Sequence, residues 1–174
     1  SQELVDVYNE NKQKTGKIKV RDPKVFEDGE YALAAKAIII NTDKKILLSK
    51  RSESKKKKAG FWEINGGVCL AGESSLQGII REIKEEIKEE LELDLSKYEA
   101  IFYKEYRKKQ VFDDIYLFKV DIDISSLEFS DREVADAKWV TIEEYEQLNR
   151  DEQLLYYDEF NRNDYEKFVE LLFS

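Results

Sequence analysis

Residues 67–86 read GVCLAGESSLQGIIREIKEE, and this stretch decides the fold. Its second half predicts an amphipathic helix that begins at Ser75 and runs to about Leu91. Ser74 can cap the N-terminus of this helix, and Gln77, three residues later, completes a capping box. At about 100° per residue, the isoleucines fall on one face and the glutamates crowd another. The helix therefore has a core face and an acidic face.

The acidic face has an unusual order of charges. Glu82 faces Glu86, and Glu85 faces Glu89, at the four-residue spacing where opposite charges normally stabilise a helix. Each like-charged pair costs about 0.2–0.5 kcal/mol, and a row of carboxylates becomes favourable when a divalent cation binds among them. Hard oxygen ligands indicate Mg²⁺ or Mn²⁺ and not zinc. The alternative is a solvated surface helix, which is typical of Glu- and Lys-rich sequence.

Two features near the start of the helix add to this interpretation. Gly66 and Gly67 leave a stretch of backbone without side chains, so that a carbonyl or an amide can approach a metal or a ligand closely. Glu73 is placed to meet Arg81 across the loop, as a charged clamp between the loop and the helix. Taken alone, the paired glycines indicate a simple tight turn equally well.

The rest of the chain predicts strands on both sides of this helix. A polar opening segment favours a hairpin, with strands at 4–8 and 17–20. Further strands are predicted at 31–40, 45–50, 60–68, 100–108, 111–120 and 135–140. A helix begins at Thr141, and another covers 162–173, where an apolar stripe must pack on something. The expected architecture is a single α/β or α+β domain, 1–174, in which helices cover a mixed sheet.

Composition narrows the possible chemistry. The 174 residues include 29 Lys and Arg, 38 Asp and Glu and no His, for a net charge of −9. Every mechanism that needs imidazole is excluded for this chain. The acidic balance works against binding to a nucleic-acid polymer or an anionic membrane, which leaves small molecules as the expected partners.

Cysteine content and hydropathy indicate the expected location. Cys69 is the single cysteine, so no disulfide can form within the chain, and a reduced, cytoplasmic protein is expected. The longest apolar run, 37–40, is far shorter than the roughly 20 residues of a membrane span. A homodimer is possible, since the apolar stripe between Tyr165 and Phe173 suits either a core or an interface.

The segment from Gly67 to Glu86 resembles the Nudix box. That pattern is Gly, five residues, Glu, seven residues, then Arg-Glu-apolar-any-Glu-Glu-any-Gly-apolar. Seven of its nine defining positions match here, and Lys88 and Glu89 replace the closing Gly and apolar residue. We expect these two departures to extend the helix and to leave metal binding intact.

The resemblance implies a fold and a chemistry. The fold is an α/β/α sandwich with a mixed β-sheet and one long catalytic helix, with 1–29 as a hairpin extension, 30–150 as the core and 151–174 as a C-terminal helix. The activity implied is attack of water at phosphorus in a nucleoside diphosphate linked to another moiety, with one to three Mg²⁺ (or Mn²⁺) bridging the diphosphate.

The resemblance also assigns roles to residues. By this resemblance, the metal is bound and water is activated by Glu82, Glu85 and Glu86, in the Arg-Glu-apolar-any-Glu-Glu part of the box that begins at Arg81. The Gly67 backbone is a further metal ligand. Glu133, outside the box, resembles the position of an extra ligand or base, although any acid before a strand looks the same.

The spacing of Arg51 and Lys55 resembles the isopentenyl-diphosphate isomerase branch of this superfamily, where an Arg and a Lys four residues apart hold the substrate diphosphate. Those isomerases need a Cys and a His near the paired glycines, and this chain has Gly66 and Val68 there. A hydrolase that retains the diphosphate clamp is therefore favoured. An isomerase-like enzyme and a non-catalytic, nucleotide-sensing Nudix domain are the alternatives.

Overall fold

A computed structural model describes residues 3–53, 57–88, 93–126, 128–129 and 134–174 of the chain. The strands are β1 Leu4–Tyr8, β2 Lys14–Val20, β3 Ala32–Ile40, β4 Ile46–Arg51, β5 Trp62–Glu63, β6 Asn65–Val68, β7 Ile87–Lys88, β8 Ile101–Lys108, β9 Val111–Lys119, β10 Glu128–Phe129 and β11 Val134–Val140. The α-helices in these ranges are α1 Ser75–Glu86, α2 Ile142–Arg150 and α3 Arg162–Phe173.

A mixed sheet forms the centre of the molecule, in the order β11-β4-β3-β9-β8. The β3–β9 pair is parallel, whereas the β11–β4, β4–β3 and β9–β8 pairs are antiparallel. Alternate residues of β3 pack on opposite faces: Ala35, Ala37 and Ile39 contact the α1 side, and Ile38 and Ile40 contact the side of α2 and α3. The predicted α/β/α sandwich with a mixed sheet is confirmed.

The sheet opens where β3 and β4 diverge. These two strands pair only at Ile40 and Ile46, after which β5 pairs with β4 and β6 pairs with β3. The chain from 62 to 68 therefore crosses from one strand to the other. Gly66 and Gly67 lie inside β6, opposite Lys36 and Ala35 of β3, and do not form the simple tight turn that was the alternative.

The end of α1 differs from the prediction. The helix starts at Ser75 with the predicted Ser74–Gln77 capping box, but it ends at Glu86 and not near Leu91. Ile87 is fully buried and has extended backbone, and β7 pairs there with β10. Burial of the β-branched Ile87 side chain and the backbone hydrogen bonds between β7 and β10 stabilise the extended conformation more than a further turn of helix would. The expected extension of the helix through Lys88 was therefore wrong, and Glu89 lies outside the described residues.

The apolar stripe of α3 packs inside the molecule. Phe168 is fully buried, and Tyr165, Leu172 and Phe173 pack against the same core cluster as Tyr145 of α2. The stripe is thus accounted for by the core, and the homodimer stays a prediction.

The segment before α3, 151–161, is a loop and not part of the C-terminal helix expected for 151–174. None of the helices in the described ranges is both long and apolar enough to cross a bilayer.

The predicted N-terminal hairpin is present as a separate two-stranded sheet, although its second strand starts at Lys14 and not at 17. It is attached to the loop before α1, because the Ala71 N–H donates to the Leu4 carbonyl at 2.9 Å and the Gly72 N–H donates to Asp6 Oδ2 at 2.8 Å. The hairpin therefore lies beside the segment in which the acidic helix begins.

Candidate active site

A cavity of about 430 Å³ lies where β6 approaches α1. Its lining has two charged parts. One is acidic and lies on α1, and the other, contributed by the hairpin and the sheet, contains basic residues that are paired with Glu3, Glu63 and Asp113. The acidic residues on α1 are Glu82, Glu85 and Glu86, and the basic residues are Arg21, Lys36, Arg51 and Lys108. The three glutamates singled out by the sequence thus line one cavity, together with Gly67 and Arg51.

Glu82 is the buried member of the acidic set, with 8% of its surface exposed. A Cβ at Gly67 would lie 2.4 Å from Glu82 Cδ, so the carboxylate occupies space that only glycine leaves open. Burial raises the pKa of Glu82 above its ordinary value, against the opposing effects of Arg81 and Glu86. A cation among these side chains would relieve that cost of ionisation.

Arg81 joins the loop to the helix. Its Nε donates to Glu73 Oε2 at 2.7 Å and its Nη2 to Glu73 Oε1 at 3.0 Å, which is a bidentate pair. Burial opposes the charge of each partner, but their mutual hydrogen bonds outweigh it, so the pKa of Arg81 is raised and that of Glu73 is lowered. Arg81 Nη1 also lies 3.2 Å from Glu82 Oε1 and from Glu85 Oε2.

This arrangement corrects one expectation about the acidic face. Glu85 is paired with Arg81 four residues earlier, so the helix does carry an oppositely charged pair at that spacing. Glu89, the like-charged residue expected to face Glu85, lies outside the described residues.

Whether the cavity suits a divalent cation depends on which donor atoms surround it. Within the described ranges, no three acidic or thiol side chains are gathered closely enough to hold a metal ion as they stand. The donors around the cavity are nevertheless oxygen atoms, which hard cations prefer, and Glu82 rests directly against the Gly67 backbone. The Glu85 side chain is 63% exposed, so it can turn away from Arg81 at little cost. The residues present fit Mg²⁺ or Mn²⁺.

One of the two residues of the predicted diphosphate clamp, Arg51, lies within the described residues. Arg51 lines the cavity, where its Nη1 donates to both oxygens of Glu63 at 3.3 Å and its Nε donates to the Lys57 carbonyl at 3.2 Å. Lys55, the other half of the clamp, and Glu133, the extra candidate acid, lie outside the described residues.

Cys69 is a packing residue. It is 4% exposed, and a Cβ at Gly78 would lie 2.5 Å from its Sγ, so the thiol sits tightly against α1. Burial and the nearby Glu73 raise the pKa of the Cys69 thiol to about 12. Such a thiol is protonated and inaccessible at neutral pH, which agrees with the judgement that it cannot replace the isomerase cysteine.

Sequence reasoning missed a charged cluster on the other side of the cavity. Lys36 binds Asp113 and Glu159, and Lys108 binds the same Glu159 at 2.6 Å. The Tyr156 ring covers both ammonium groups, at 4.0 Å from Lys36 and 4.6 Å from Lys108. Two charged residues in apolar strands could have indicated this cluster from the sequence: Lys36 in the run 32–40 and Asp113 in the run 111–119, which form an ion pair across the parallel β3–β9 pairing.

Comparisons with known proteins give the family and the fold of this chain. The NUDIX domain model matches residues 30–160. A protein of Listeria monocytogenes named "Uncharacterized Nudix hydrolase lmo0368" is 35% identical over 153 residues, which are 87% of this chain and 88% of that protein. "Nudix hydrolase 3" of Arabidopsis thaliana is 29% identical over 182 residues, covering 99% of this chain and 23% of that protein. The crystal structure of DR0079 from Deinococcus radiodurans superposes with a TM-score of 0.70 at 19% identity, covering 87% of this chain and 91% of that one.

The chain therefore belongs to the NUDIX family, as the resemblance of its box implied. It is an enzyme of the Nudix diphosphohydrolase class.

Proposed function

We propose that the protein is a Mg²⁺-dependent hydrolase, also served by Mn²⁺, that cleaves the diphosphate linkage of a nucleoside diphosphate derivative by attack of water at phosphorus. The observation that supports this most strongly is the convergence of Glu82, Glu85 and Glu86 on one cavity that Arg51 also lines. A cavity with acids on one wall and guanidinium and ammonium groups on another suits a polyanion that arrives with a cation.

Glu82, Glu85, Glu86 and the Gly67 backbone would hold the cation. When bound, it would neutralise phosphate charge and lower the pKa of a water molecule. Arg51 would donate to the phosphate oxygens, together with Lys55. A carboxylate of this set, or Glu133, would orient the attacking water and accept its proton, which requires no imidazole.

Arg81 has a positioning role in this proposal. Its bidentate bond to Glu73 fixes the loop before α1, and the same guanidinium contacts Glu82 and Glu85. The buried Glu82 carboxylate is therefore held on the cavity side of the helix before any ligand binds, while the exposed Glu85 side chain can still turn toward a cation. Such preorganisation lowers the cost of assembling the site.

The test is a panel of nucleoside diphosphate derivatives incubated with purified protein and Mg²⁺ or Mn²⁺, with the products identified. We expect release of phosphomonoesters from at least one compound. Glu86→Gln should lower that rate by about 10²–10⁴-fold, whereas Glu170→Gln, which removes an exposed acid of α3, should leave it unchanged. Inactivity over the whole panel with both cations would overturn the proposal in favour of nucleotide sensing, and isomerisation of isopentenyl diphosphate would favour the isomerase alternative.

The cytoplasmic location expected from the single cysteine stays a prediction.

A further inference from the structure

The lysine cluster opposite α1 has no part in the proposed attack of water. Lys108 is its accessible member, since its side chain is 32% exposed and lines the cavity. One of the three ammonium N–H groups binds Glu159 at 2.6 Å, and the ring of Tyr156 lies 4.6 Å away. Among the described residues, the nearest other acid is Asp113, 3.7 Å away. Within this part of the chain, Lys108 therefore retains an N–H donor, and its side chain lines the cavity.

Lys36, in contrast, has no donor to spare. Its ammonium group binds Asp113 and Glu159 and lies 4.0 Å from the centre of the Tyr156 ring, which uses all three N–H groups. Its side chain is only 8% exposed. Lys36 consequently contributes positive charge and fixes its neighbours, while Lys108 is available to a ligand.

The two acids of the cluster are buried and share their lysine partners. Asp113 and Glu159 both contact the ammonium groups of Lys36 and Lys108, and among the described residues no group donates a hydrogen bond to Asp113 Oδ1. A proton on Glu159 would relieve the repulsion between the two carboxylates. Burial and the neighbouring Asp113 raise the pKa of Glu159 to about 7. With that proton in place, two ammonium groups face one negative charge, and the cluster is net positive.

Tyr156 fixes the geometry of the lysines. Both ammonium groups contact one oxygen of Glu159, so they must lie on the same face of the Tyr156 ring. The Tyr156 backbone has a φ of 67°, in the left-handed region that this residue type avoids. Its loop is attached to β5, because the Leu155 N–H donates to the Trp62 carbonyl at 2.9 Å. The cluster is therefore held rigidly against the segment that leads to Gly66 and Gly67.

On the basis of the proposed function, we propose that Lys108 is a specificity-determining residue that binds a phosphoryl group of the substrate beyond the scissile diphosphate. Lys36, Asp113, Glu159 and Tyr156 position it. The acid set of α1 and the lysine cluster line the same cavity, and they contact opposite faces of β6 at adjacent residues, because Glu82 rests on Gly67 and the stem of Lys36 crosses Gly66. A third phosphoryl group in line with the diphosphate would reach this cluster, so the substrate class is a nucleoside triphosphate and not a nucleoside diphosphate sugar.

The test measures binding without turnover. Calorimetric titration with inorganic tripolyphosphate and with pyrophosphate, in the absence of divalent cations, compares the wild type with Lys108→Gln and with Lys109→Gln, which removes the exposed neighbouring charge outside the cavity. We expect Lys108→Gln to weaken tripolyphosphate binding about tenfold and pyrophosphate binding by less than about twofold, and Lys109→Gln to change neither. Lys108→Arg, which keeps the charge, should restore most of the affinity, and thermal melting checks that each variant is folded.

Kinetics provide a second measurement. For a nucleoside triphosphate, Lys108→Gln should raise KM about tenfold with little change in kcat, and for a nucleoside diphosphate sugar it should change neither. A folded Lys108→Gln that binds tripolyphosphate as the wild type does, or that loses affinity equally for both anions, would overturn the proposal. A protein that hydrolyses nothing but still loses tripolyphosphate binding in this variant would refute the hydrolase and leave the subsite standing.

Discussion

Gly66 lies directly opposite Lys36 in the pairing of β6 with β3, and the aliphatic stem of Lys36 fills the space that a side chain at position 66 would need. A Cβ there would lie 2.7 Å from Lys36 Cγ and 2.6 Å from the carbonyl oxygen of Ala35. The next residue, Gly67, has the same relationship to Glu82. The two glycines thus accommodate side chains on opposite faces of one strand.

Gly66→Ala should destabilise the protein. The clash involves the backbone of Ala35, which cannot move without disturbing the central strand, so the free energy of unfolding should fall by about 1–3 kcal/mol. Chemical denaturation measures this change. Gly72→Ala, where no atom lies within 4 Å of the added Cβ but φ is 87°, is the matched control for backbone strain alone. A Gly66→Ala protein as stable as the wild type would show that β3 tolerates a shift there.

Gly67→Ala should affect metal binding more than stability. The added Cβ would meet the far end of the Glu82 side chain, which can rotate, so the melting temperature should change little. Displacing that carboxylate should weaken the apparent affinity for Mg²⁺ about 10–100-fold. The dependence of hydrolysis on Mg²⁺ concentration measures this effect. An unchanged Mg²⁺ dependence would remove Glu82 from the set of ligands.

Arg81→Lys should loosen the loop before α1. Lysine keeps the charge but cannot make the bidentate bond to Glu73, so one charge-assisted hydrogen bond, worth about 1.5–3 kcal/mol, is lost. Amide hydrogen exchange at Leu70, whose N–H donates to Glu73 at 2.7 Å, should become faster. Exchange in β9 should not change. Unaltered protection at Leu70 would show that the loop is held by the hairpin instead.

Glu159→Gln should change how stability depends on pH. The pKa of Glu159 is about 7 in the folded protein, against an ordinary value of 4.5, so the folded state holds a proton that the unfolded chain has released. Its contribution to stability is complete below the lower pKa and is lost as the pH rises through about 7. Lys36, Lys108, Asp113 and Tyr156 face it, and Gln keeps an N–H donor toward Asp113.

Between about pH 5 and pH 8, the wild type should therefore lose on the order of 1–3 kcal/mol more of its free energy of unfolding than Glu159→Gln does. Denaturant titrations at the two pH values measure the difference. Parallel pH profiles for the two proteins would show that Glu159 is already ionised at the lower pH.

The local pattern was sufficient to predict the start of α1 but not its end. The Ser74 cap and the Gln77 side chain act within one turn, so the sequence alone identifies them. The end of α1 depends on pairing of Ile87 with Phe129, which is distant in sequence. A helical period continues through residues 87–91, and only the tertiary pairing ends it.

The same reasoning applies to the site. Glu82, Glu85 and Glu86 were identified because their spacing is fixed by one helix. The Lys36 cluster was missed because its contacts span 77 residues to Asp113 and 123 residues to Glu159. Lys36 and Asp113 stand out within their apolar strands, but neither strand identifies the partner. Only the parallel β3–β9 pairing and the return of the 151–161 loop bring these residues together with Glu159.

The N-terminal hairpin has a consequence for how relatives of this protein differ. The family match begins at residue 30, yet Glu3 and Arg21 line the cavity from outside it. Because the hairpin is attached by hydrogen bonds from Ala71 and Gly72, an exchange of this appendage would alter the cavity wall while the box itself remained intact. Two proteins with the same residues on α1 but different hairpins would therefore present different cavity walls to a substrate.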